Sequence, residues 1–268
     1  MKKIFLGIIL GIGAVIPGVC TASLALFLGI YEILINFFSG NFCKKNIINV
    51  VLIAIGTIIG IALTCLIINN LTGIQKNLLT FVFYGFMIYG IKEYGQQNIK
   101  SNFKLSFFIY GFTSIIIFQL IFSFLNIDIS HSITGIFLIS ILVGVAFVLP
   151  GLSGSMILMS FGAYYKIIEY ALECTIKFKV NYHFFFLVSF LFGLLVGVVI
   201  SSIIIKKIIN QNSINFSNYV LGMIVGTIFV MTGIFFDTVL IEYAPIMLLM
   251  VSLGYLLNRT IMRTIWNV

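Results

Sequence analysis

The sequence contains very little charge. Only 8% of its 268 residues are Asp, Glu, Lys or Arg, whereas 61% are hydrophobic and the mean hydropathy is +1.22. A soluble domain of this length needs far more charge to cover its surface. Segments that face lipid must be helices or closed barrels, because backbone polar groups find no water there. Continuous apolar runs such as residues 50–59 lack the alternation of barrel strands. The sequence therefore predicts an all-α polytopic membrane protein.

Residue types that carry catalysis and metal binding are also scarce. The four cysteines are scattered and form no CxxC pair, so we predict neither a metal site nor a disulfide framework. We find no nucleophile–base pair, phosphate-binding P-loop or redox motif, and therefore predict no cofactor and no enzymatic activity. The net charge of +8 is typical of membrane proteins with basic cytoplasmic loops. We accordingly predict no nucleic-acid partner.

Two of the apolar segments are much longer than the roughly 20 residues that cross a membrane. They cover residues 4–38 and 133–172, and each has Pro-Gly near its middle. The other predicted membrane helices are 47–68, 78–91, 105–127, 184–205, 219–236 and 239–257.

An internal repeat relates the two halves of the chain. The long segments align with an offset of 133 residues and the helices that follow them with an offset of 137. We therefore predict two repeats, 1–132 and 133–268, as in many duplicated transporters. The matched positions are Gly11, Pro17, Gly18, Gly29, Tyr31, Gly56, Gly60 and Gly85 with Gly144, Pro150, Gly151, Gly162, Tyr164, Gly193, Gly197 and Gly222.

Loop charge predicts how the long segments sit in the membrane. If each returns to the side from which it entered, eleven Lys and Arg residues lie inside and four outside; if each crosses once, the split is seven to eight. The positive-inside rule favours the first arrangement. It predicts cytoplasmic termini and two inverted repeats, each a re-entrant hairpin followed by three transmembrane helices. Charge alone does not distinguish a re-entrant hairpin from two full crossings, and for 133–172 that choice stays open.

The Pro-Gly turns are the candidate binding site. A turn within the membrane starts a half-helix whose first N–H groups have no helical partner, and these groups with the helix dipole favour an anion. Inverted repeats would bring the two turns together near the midplane. The alternative without a binding function is that Pro and Gly only kink the helices and that the Ser and Thr hydroxyls form hydrogen bonds between helices. The candidate residues are Gly18, Val19, Cys20, Thr21 and Ser23 after the first turn, and Gly151, Leu152, Ser153, Gly154 and Ser155 at the second.

Two charged residues are weaker candidates for coupling or gating. Glu32 lies 15 residues after Pro17, which is about 22 Å of continuous helix and predicts a position near the cytoplasmic interface. Lys166 is expected at the corresponding outer mouth, where it would attract an anion or only extend its amine to the interface. The glycine pairs 56/60 and 193/197 are predicted to be packing devices.

The turns carry a family resemblance. Residues 17–23 (PGVCTAS), 28–32 (LGIYE) and 150–155 (PGLSGS) resemble motifs of the PopT-type polyprenyl-phosphate translocases, namely PGVSGGT with LGIYE, and PGISGS. In the first motif, Cys20, Thr21 and Ala22 stand where the family has Ser-Gly-Gly. The resemblance extends in layout over nearly the whole chain.

The resemblance implies a flippase that returns undecaprenyl phosphate from the outer to the cytoplasmic leaflet of the bacterial cytoplasmic membrane. The candidate anion-binding residues would then hold the lipid phosphate, and a proton or sodium ion is a candidate coupling partner. The rivals are an ion-coupled carrier of a small soluble anion and, less favoured, a membrane enzyme acting on lipid phosphate. The sequence does not indicate the coupling ion, the lipid chain length or the oligomeric state.

Overall fold

The protein is represented by a computed structural model that describes residues 2–16, 19–68, 73–99, 102–124, 132–177, 182–236 and 244–266. All regular secondary structure in these ranges is α-helical, as the apolar runs predict. The helices in these ranges are α1 (Lys2–Val15), α2 (Thr21–Phe27), α3 (Tyr31–Phe38), α4 (Lys44–Ile68), α5 (Gly73–Asn98), α6 (Leu105–Phe124), α7 (Ile133–Val148), α8 (Gly154–Ser160), α9 (Tyr164–Lys177), α10 (Tyr182–Phe236) and α11 (Ala244–Trp266).

Each Pro-Gly segment folds into three short helices. The first contains α1, α2 and α3, with a bend of 117° between α2 and α3; the second contains α7, α8 and α9. Both breaks lie at a glycine in the left-handed region, with φ of 64° at Gly29 and 65° at Gly162. Glycine adopts this conformation readily because it has no Cβ. The helices α8 and α9 begin 133 residues after α2 and α3, which is the offset of the sequence repeat.

The prediction that one continuous helix follows each Pro-Gly turn is therefore wrong. Continuous helix was expected from Pro17 to beyond Glu32, but the bend at Gly29 separates α2 from α3. Glu32 consequently lies in the first turn of α3 rather than far along one helix. The sequence pattern missed the bend because the residues on both sides of Gly29 are apolar, and hydropathy does not report φ.

Several predicted helix ends are also wrong, because the prediction places polar residues in loops. The segment predicted as 78–91 is part of α5, which continues at both ends beyond its apolar centre. The expected loop at 206–218 is reduced to a kink at Asn212 (φ −152°, ψ 66°), where the two helical parts of α10 meet. Lys, Gln and Asn are compatible with a helix that extends from the hydrocarbon region into water. Polar and charged residues therefore mark the membrane boundary rather than the end of the helix. The last helix was predicted from 239, but 239–243 lie outside the described residues.

The described helices are those of a multi-pass membrane protein. Four are long and apolar enough to cross a membrane, or five if the bent pair α2–α3 counts as one span. One of the four, Tyr182–Val230, has 49 residues, more than twice the roughly 20 residues of one crossing. The whole of α10, Tyr182–Phe236, contains both predicted spans, 184–205 and 219–236. Helix α7 is apolar but has only 16 residues.

Helices α1 and α4 pack in parallel through glycines. A Cβ at Gly56 would meet the carbonyl oxygen of Ile4, and a Cβ at Gly60 would meet that of Ile8. The residue numbers rise together along both helices, so the helices point the same way. The chain between them therefore returns to the end at which α1 begins.

Helices α7 and α10 repeat this arrangement. A Cβ at Gly193 would lie 2.5 Å from the carbonyl oxygen of Phe137, and a Cβ at Gly197 would meet that of Ile141. This pair is parallel as well. The prediction that both glycine pairs serve close helix packing is confirmed.

Two further helix pairs, α5 with α11 and α6 with α10, join one half of the chain to the other. In α5 and α11, a Cβ at Gly254 would meet the Val82 carbonyl oxygen, and one turn further along both helices Asn258 Nδ2 donates to the Phe86 carbonyl oxygen at 2.7 Å. The two helices are therefore parallel.

Helices α6 and α10 are also parallel. The backbone N–H of Lys104 donates to Asn218 Oδ1 at 3.1 Å, and a Cβ at Gly222 would meet the Phe108 carbonyl oxygen. The residue numbers of these contacts rise together along both helices. Each half thus supplies a helix that packs alongside a helix of the other half.

Candidate functional site

The turn between α7 and α8 requires its glycine. Gly151 has a φ of 101°, and a Cβ there would lie 2.9 Å from Cβ of Met223 on α10. Thr227 Oγ1 lies 2.6 Å from the Gly151 carbonyl oxygen and 2.8 Å from that of Met223. The second turn is therefore fixed against α10 by close backbone packing and by one hydroxyl.

Residues that follow the first Pro-Gly contact the second turn directly. The Gly151 N–H lies 3.1 Å from both Cys20 Sγ and Ser23 Oγ, and Cys20 Sγ lies 3.8 Å from the Leu149 carbonyl oxygen. Cys20 and Ser23 are both buried. Two segments about 130 residues apart in sequence thus meet inside the protein. Pro17 and Gly18 themselves lie outside the described residues.

A second polar contact links the halves beside this point. Tyr31, the first residue of α3, donates its hydroxyl to the Val148 carbonyl oxygen at 2.8 Å. Val148 ends α7, so its carbonyl belongs to the last turn of a helix and has no helical partner. The Tyr31 side chain therefore holds α3 against the end of α7.

The predicted anion-binding residues of the second turn are mostly buried. Gly151, Leu152 and Ser153 are buried, whereas Gly154 and Ser155 are half-buried. Ser153 precedes α8 as its N-cap residue, and its Oγ lies 2.9 Å from Ser155 Oγ. The two hydroxyls thus face each other at the start of α8.

The residues after the first turn are arranged in the corresponding way. Cys20 is the N-cap residue of α2, and Thr21 is its first helical residue. Val19, Cys20 and Ser23 are buried, and Thr21 is half-buried. The gathering of these residues with Gly151 is the arrangement expected if the two turns form one site.

The space beside Ser153 is small. A cavity of about 20 Å³ lies between α6, α8 and α10, and Ser153, Gln119 and Thr227 contribute its polar lining together with Ser160. This volume accommodates about one water molecule. A phosphate at Ser153 would therefore require α6 or α8 to move.

A larger and almost wholly apolar cavity lies beside the turns. Its volume is about 210 Å³, and it is lined by residues of both halves. Thr21 and Tyr31 of the first half and Val148 and Ser202 of the second half belong to this lining. We name it the α3 cavity; the lining residues are Leu10, Ala14, Thr21, Ala25, Tyr31, Leu34, Ile35, Phe38, Thr57, Phe147, Val148, Leu194, Val198 and Ser202.

Glu32 lines a third cavity, which is polar. It has a volume of about 440 Å³ and includes Tyr94, Gln97 and Ser217. Tyr31 lines both this cavity and the α3 cavity, so its ring separates an apolar space from a polar one. Glu32 is exposed and is the only charged residue in the lining of the three cavities described.

Lys166 is not part of these cavities. It lies in the first turn of α9 and is half-buried. The pairing of Glu32 and Lys166 as two mouths of one pathway therefore stays a prediction.

Sequence reasoning missed three residues that the fold brings to the turns. Tyr31 could have been identified from the sequence, since it belongs to the LGIYE motif and is matched by Tyr164 in the second repeat. Thr227 and Ser202 could not, because each is a small hydroxyl residue within a long apolar helix. Among the described residues, no group of His, Cys, Asp and Glu could hold a metal ion.

Comparison with known proteins gives one match. No curated protein and no solved structure matches the chain significantly. A family model described as undecaprenyl phosphate translocase-like matches residues 10–238, a range that includes both turns and all three cavities except Met262 of the polar one. The predicted resemblance is confirmed: the chain belongs to the VCA0040-like, undecaprenyl phosphate translocase-like family.

Proposed function

We propose that this protein moves undecaprenyl phosphate from the outer to the cytoplasmic leaflet of the bacterial cytoplasmic membrane, for reuse in building the cell envelope. The family description supports a transporter of this lipid rather than an enzyme. The structural observation that carries the proposal is the contact of Cys20 and Ser23 with Gly151, which joins the two Pro-Gly segments inside a multi-pass membrane protein.

The proposal includes an inverted relation between the halves, and helix direction supports it. By sequence offset, α5 corresponds to the C-terminal part of α10, since Gly85 aligns with Gly222. The connection between α5 and α6 is short, and short connections generally reverse the direction of consecutive helices, so we infer that α5 and α6 run in opposite directions. Because α6 is parallel to α10, α5 and its counterpart in α10 run in opposite directions. In an inverted repeat, corresponding helices run in opposite directions, whereas in a direct repeat they would run in the same direction.

Inversion lets one site serve both leaflets. In the proposed cycle, the turns stay near the midplane while the helices around them open alternately to either side. A phosphate without partners in hydrocarbon is very costly, so the protein must supply donors along the way. The first N–H groups of α2 and α8 and the hydroxyls of Thr21, Ser153 and Ser155 are the proposed donors.

The shape of the interior favours an amphiphile over a small soluble anion. The largest space beside the turns that lacks charge is the apolar α3 cavity, whereas the polar space adjoining it contains the Glu32 carboxylate, which repels anions. A carrier of a small soluble anion would need a polar route to the turns. We propose that Glu32 instead acts in coupling or gating, with a proton or sodium ion as partner.

The central test is transport of undecaprenyl phosphate in proteoliposomes. Ser153→Ala removes one charge-assisted hydrogen bond, worth about 1.5–3 kcal/mol, and should weaken lipid binding about 10- to 100-fold. Ser155→Asp places a negative charge beside the phosphate and should be worse. Ser140→Ala is the matched control, because Ser140 is buried in α7 and donates only to the Phe137 carbonyl oxygen. If Ser153→Ala and Ser155→Asp both transport like the parent, the phosphate site lies elsewhere.

The proposed orientation has its own test. In a variant without the native cysteines, single cysteines at Lys45, Gln97 and Asn210 should react with a membrane-impermeant reagent only from the cytoplasmic side. Cysteines at Ser130, Asn181 and Thr238 should react only from outside. Reaction of the Lys45 position from outside would exclude the hairpin and, with it, the inverted repeat.

A further inference from the structure

The α3 cavity contains a polar group that its surroundings do not explain. Ser202 lies in its lining and is only 1% exposed, and no described residue provides a hydrogen-bond partner for its Oγ. Helical serines commonly donate to the carbonyl four residues earlier, as the adjacent Ser201 does to Gly197 at 2.6 Å. A buried hydroxyl without a partner costs free energy. Ser202 is therefore an unused hydrogen-bond donor at the margin of this cavity, and its hydroxyl would reach a ligand there by rotating about the Cα–Cβ bond.

Ser202 is close to the second turn. A Cβ at Gly144 would lie 2.9 Å from the backbone nitrogen of Val198. Because α7 and α10 are parallel, one helical turn further along each brings Val148 level with Ser202. Both residues line the α3 cavity, and α7 ends at Val148. The cavity therefore begins where the chain enters the Pro-Gly turn.

Residues that follow the first Pro-Gly line the same cavity. Thr21 is the first residue of α2 and lines it, together with Ala25 one helical turn later. The rest of the lining is formed chiefly by aliphatic and Phe side chains. A ligand there would have its polar end near Thr21 and Ser202, and hydrocarbon along the remainder.

We propose that the α3 cavity binds the phosphate-proximal isoprenoid units of the lipid, and that the Ser202 hydroxyl rotates towards the cavity to donate to an oxygen of the phosphate ester. This assignment rests on the proposed function and names the part of that site which recognises the chain. The cavity volume of about 210 Å³ is below the roughly 300–1,000 Å³ of pockets that enclose drug-sized ligands. It accepts only a short stretch of chain, and the remainder lies in the bilayer.

The cavity selects by shape rather than by hydrophobicity. Membrane hydrocarbon is as apolar as the cavity wall, so leaving lipid gives the chain no hydrophobic gain. What the cavity supplies is room for methyl-branched units beside the turns, together with one hydroxyl. A straight alkyl chain should fit this wall less well than a branched one.

The test measures binding of three probes to the purified full chain in nanodiscs: farnesyl phosphate, dodecyl phosphate and inorganic phosphate. We expect the parent protein to bind farnesyl phosphate more tightly than dodecyl phosphate, and inorganic phosphate weakest. Val198→Phe fills the cavity and should weaken farnesyl phosphate binding at least about tenfold, while changing inorganic phosphate binding little. Ser202→Ala, which removes only an oxygen, should weaken farnesyl phosphate binding about 3- to 10-fold.

Matched controls come from positions that do not line the cavity. Ile61 is the counterpart of Val198 at the 137-residue offset and is 38% exposed, so Ile61→Phe should bind farnesyl phosphate like the parent. Ser201→Ala should also bind like the parent. Unaltered farnesyl phosphate binding by both Val198→Phe and Ser202→Ala would overturn the cavity assignment and leave the proposed function standing. A parent protein that binds no prenyl phosphate would overturn both.

Discussion

The two Pro-Gly segments have the same backbone plan but different surroundings. Both break at a glycine with a φ near 65°, and both place a seven-residue helix between two longer ones. Helix α2 is nearly all buried, whereas the corresponding α8 carries Ser155 and Ser160 and is buried mainly at Ile157 and Leu158. The backbone plan follows from the repeated glycines, while the side chains have diverged.

The helices after the bends differ most. Tyr31 of α3 is buried and bonded to the Val148 carbonyl oxygen, whereas its counterpart Tyr164 of α9 is half-buried and packs edge-on to the exposed ring of Tyr165. One bent segment is therefore held against the other half, and its partner is not held in this way. A transporter built from two related halves needs such a difference, because the two sides of the membrane cannot open together.

The largest stability effect should come from the turn itself. Gly151→Ala combines a strained backbone conformation with a clash against Met223, and should lower the free energy of unfolding by about 2–5 kcal/mol. Gly40 offers a matched control, since its φ is 96° but a Cβ there meets nothing within 4 Å. Denaturant unfolding of purified protein should show a clearly smaller loss for Gly40→Ala. Equal losses would mean that the contact with Met223 contributes nothing.

The equivalence of the two halves predicts a pair of equal effects. Gly60→Ala and Gly197→Ala each place a methyl group against the carbonyl oxygen of a parallel helix, at Ile8 and Ile141 respectively. Each should cost about 1–3 kcal/mol of unfolding free energy through overpacking, and the two losses should agree closely. Unequal losses in the same denaturant titration would show that the α1–α4 and α7–α10 pairs differ in energy despite their similar geometry.

The smallest effect should separate the two bent segments. Tyr31→Phe leaves the buried Val148 carbonyl without its donor and should cost about 1–2 kcal/mol. Tyr164→Phe removes no comparable bond in the described part of the chain and should cost close to nothing. Thermal unfolding in detergent measures both variants under one condition. A larger loss for Tyr164→Phe would mean that α9, rather than α3, is the segment held in place.

Much of the architecture could be predicted because it depends on nearby residues or on composition. Low charge and long apolar runs determine a helical membrane protein, since lipid leaves no other solution for the segments between residues 44 and 124. The 133-residue offset found in the sequence also relates the starts of α2 and α8 and of α3 and α9. Family membership followed from motifs of five to seven residues at the turns.

Tertiary structure decided what depends on distant partners. The bend at Gly29 and the continuation of α10 through 206–218 are backbone choices that hydropathy does not encode. The contacts of Cys20 with Gly151 and of Tyr31 with Val148 join residues more than 100 positions apart, and no local pattern specifies them. Ser202 is one serine among several in α10 by sequence; it becomes distinct only because helix packing buries its hydroxyl without a partner beside an apolar cavity.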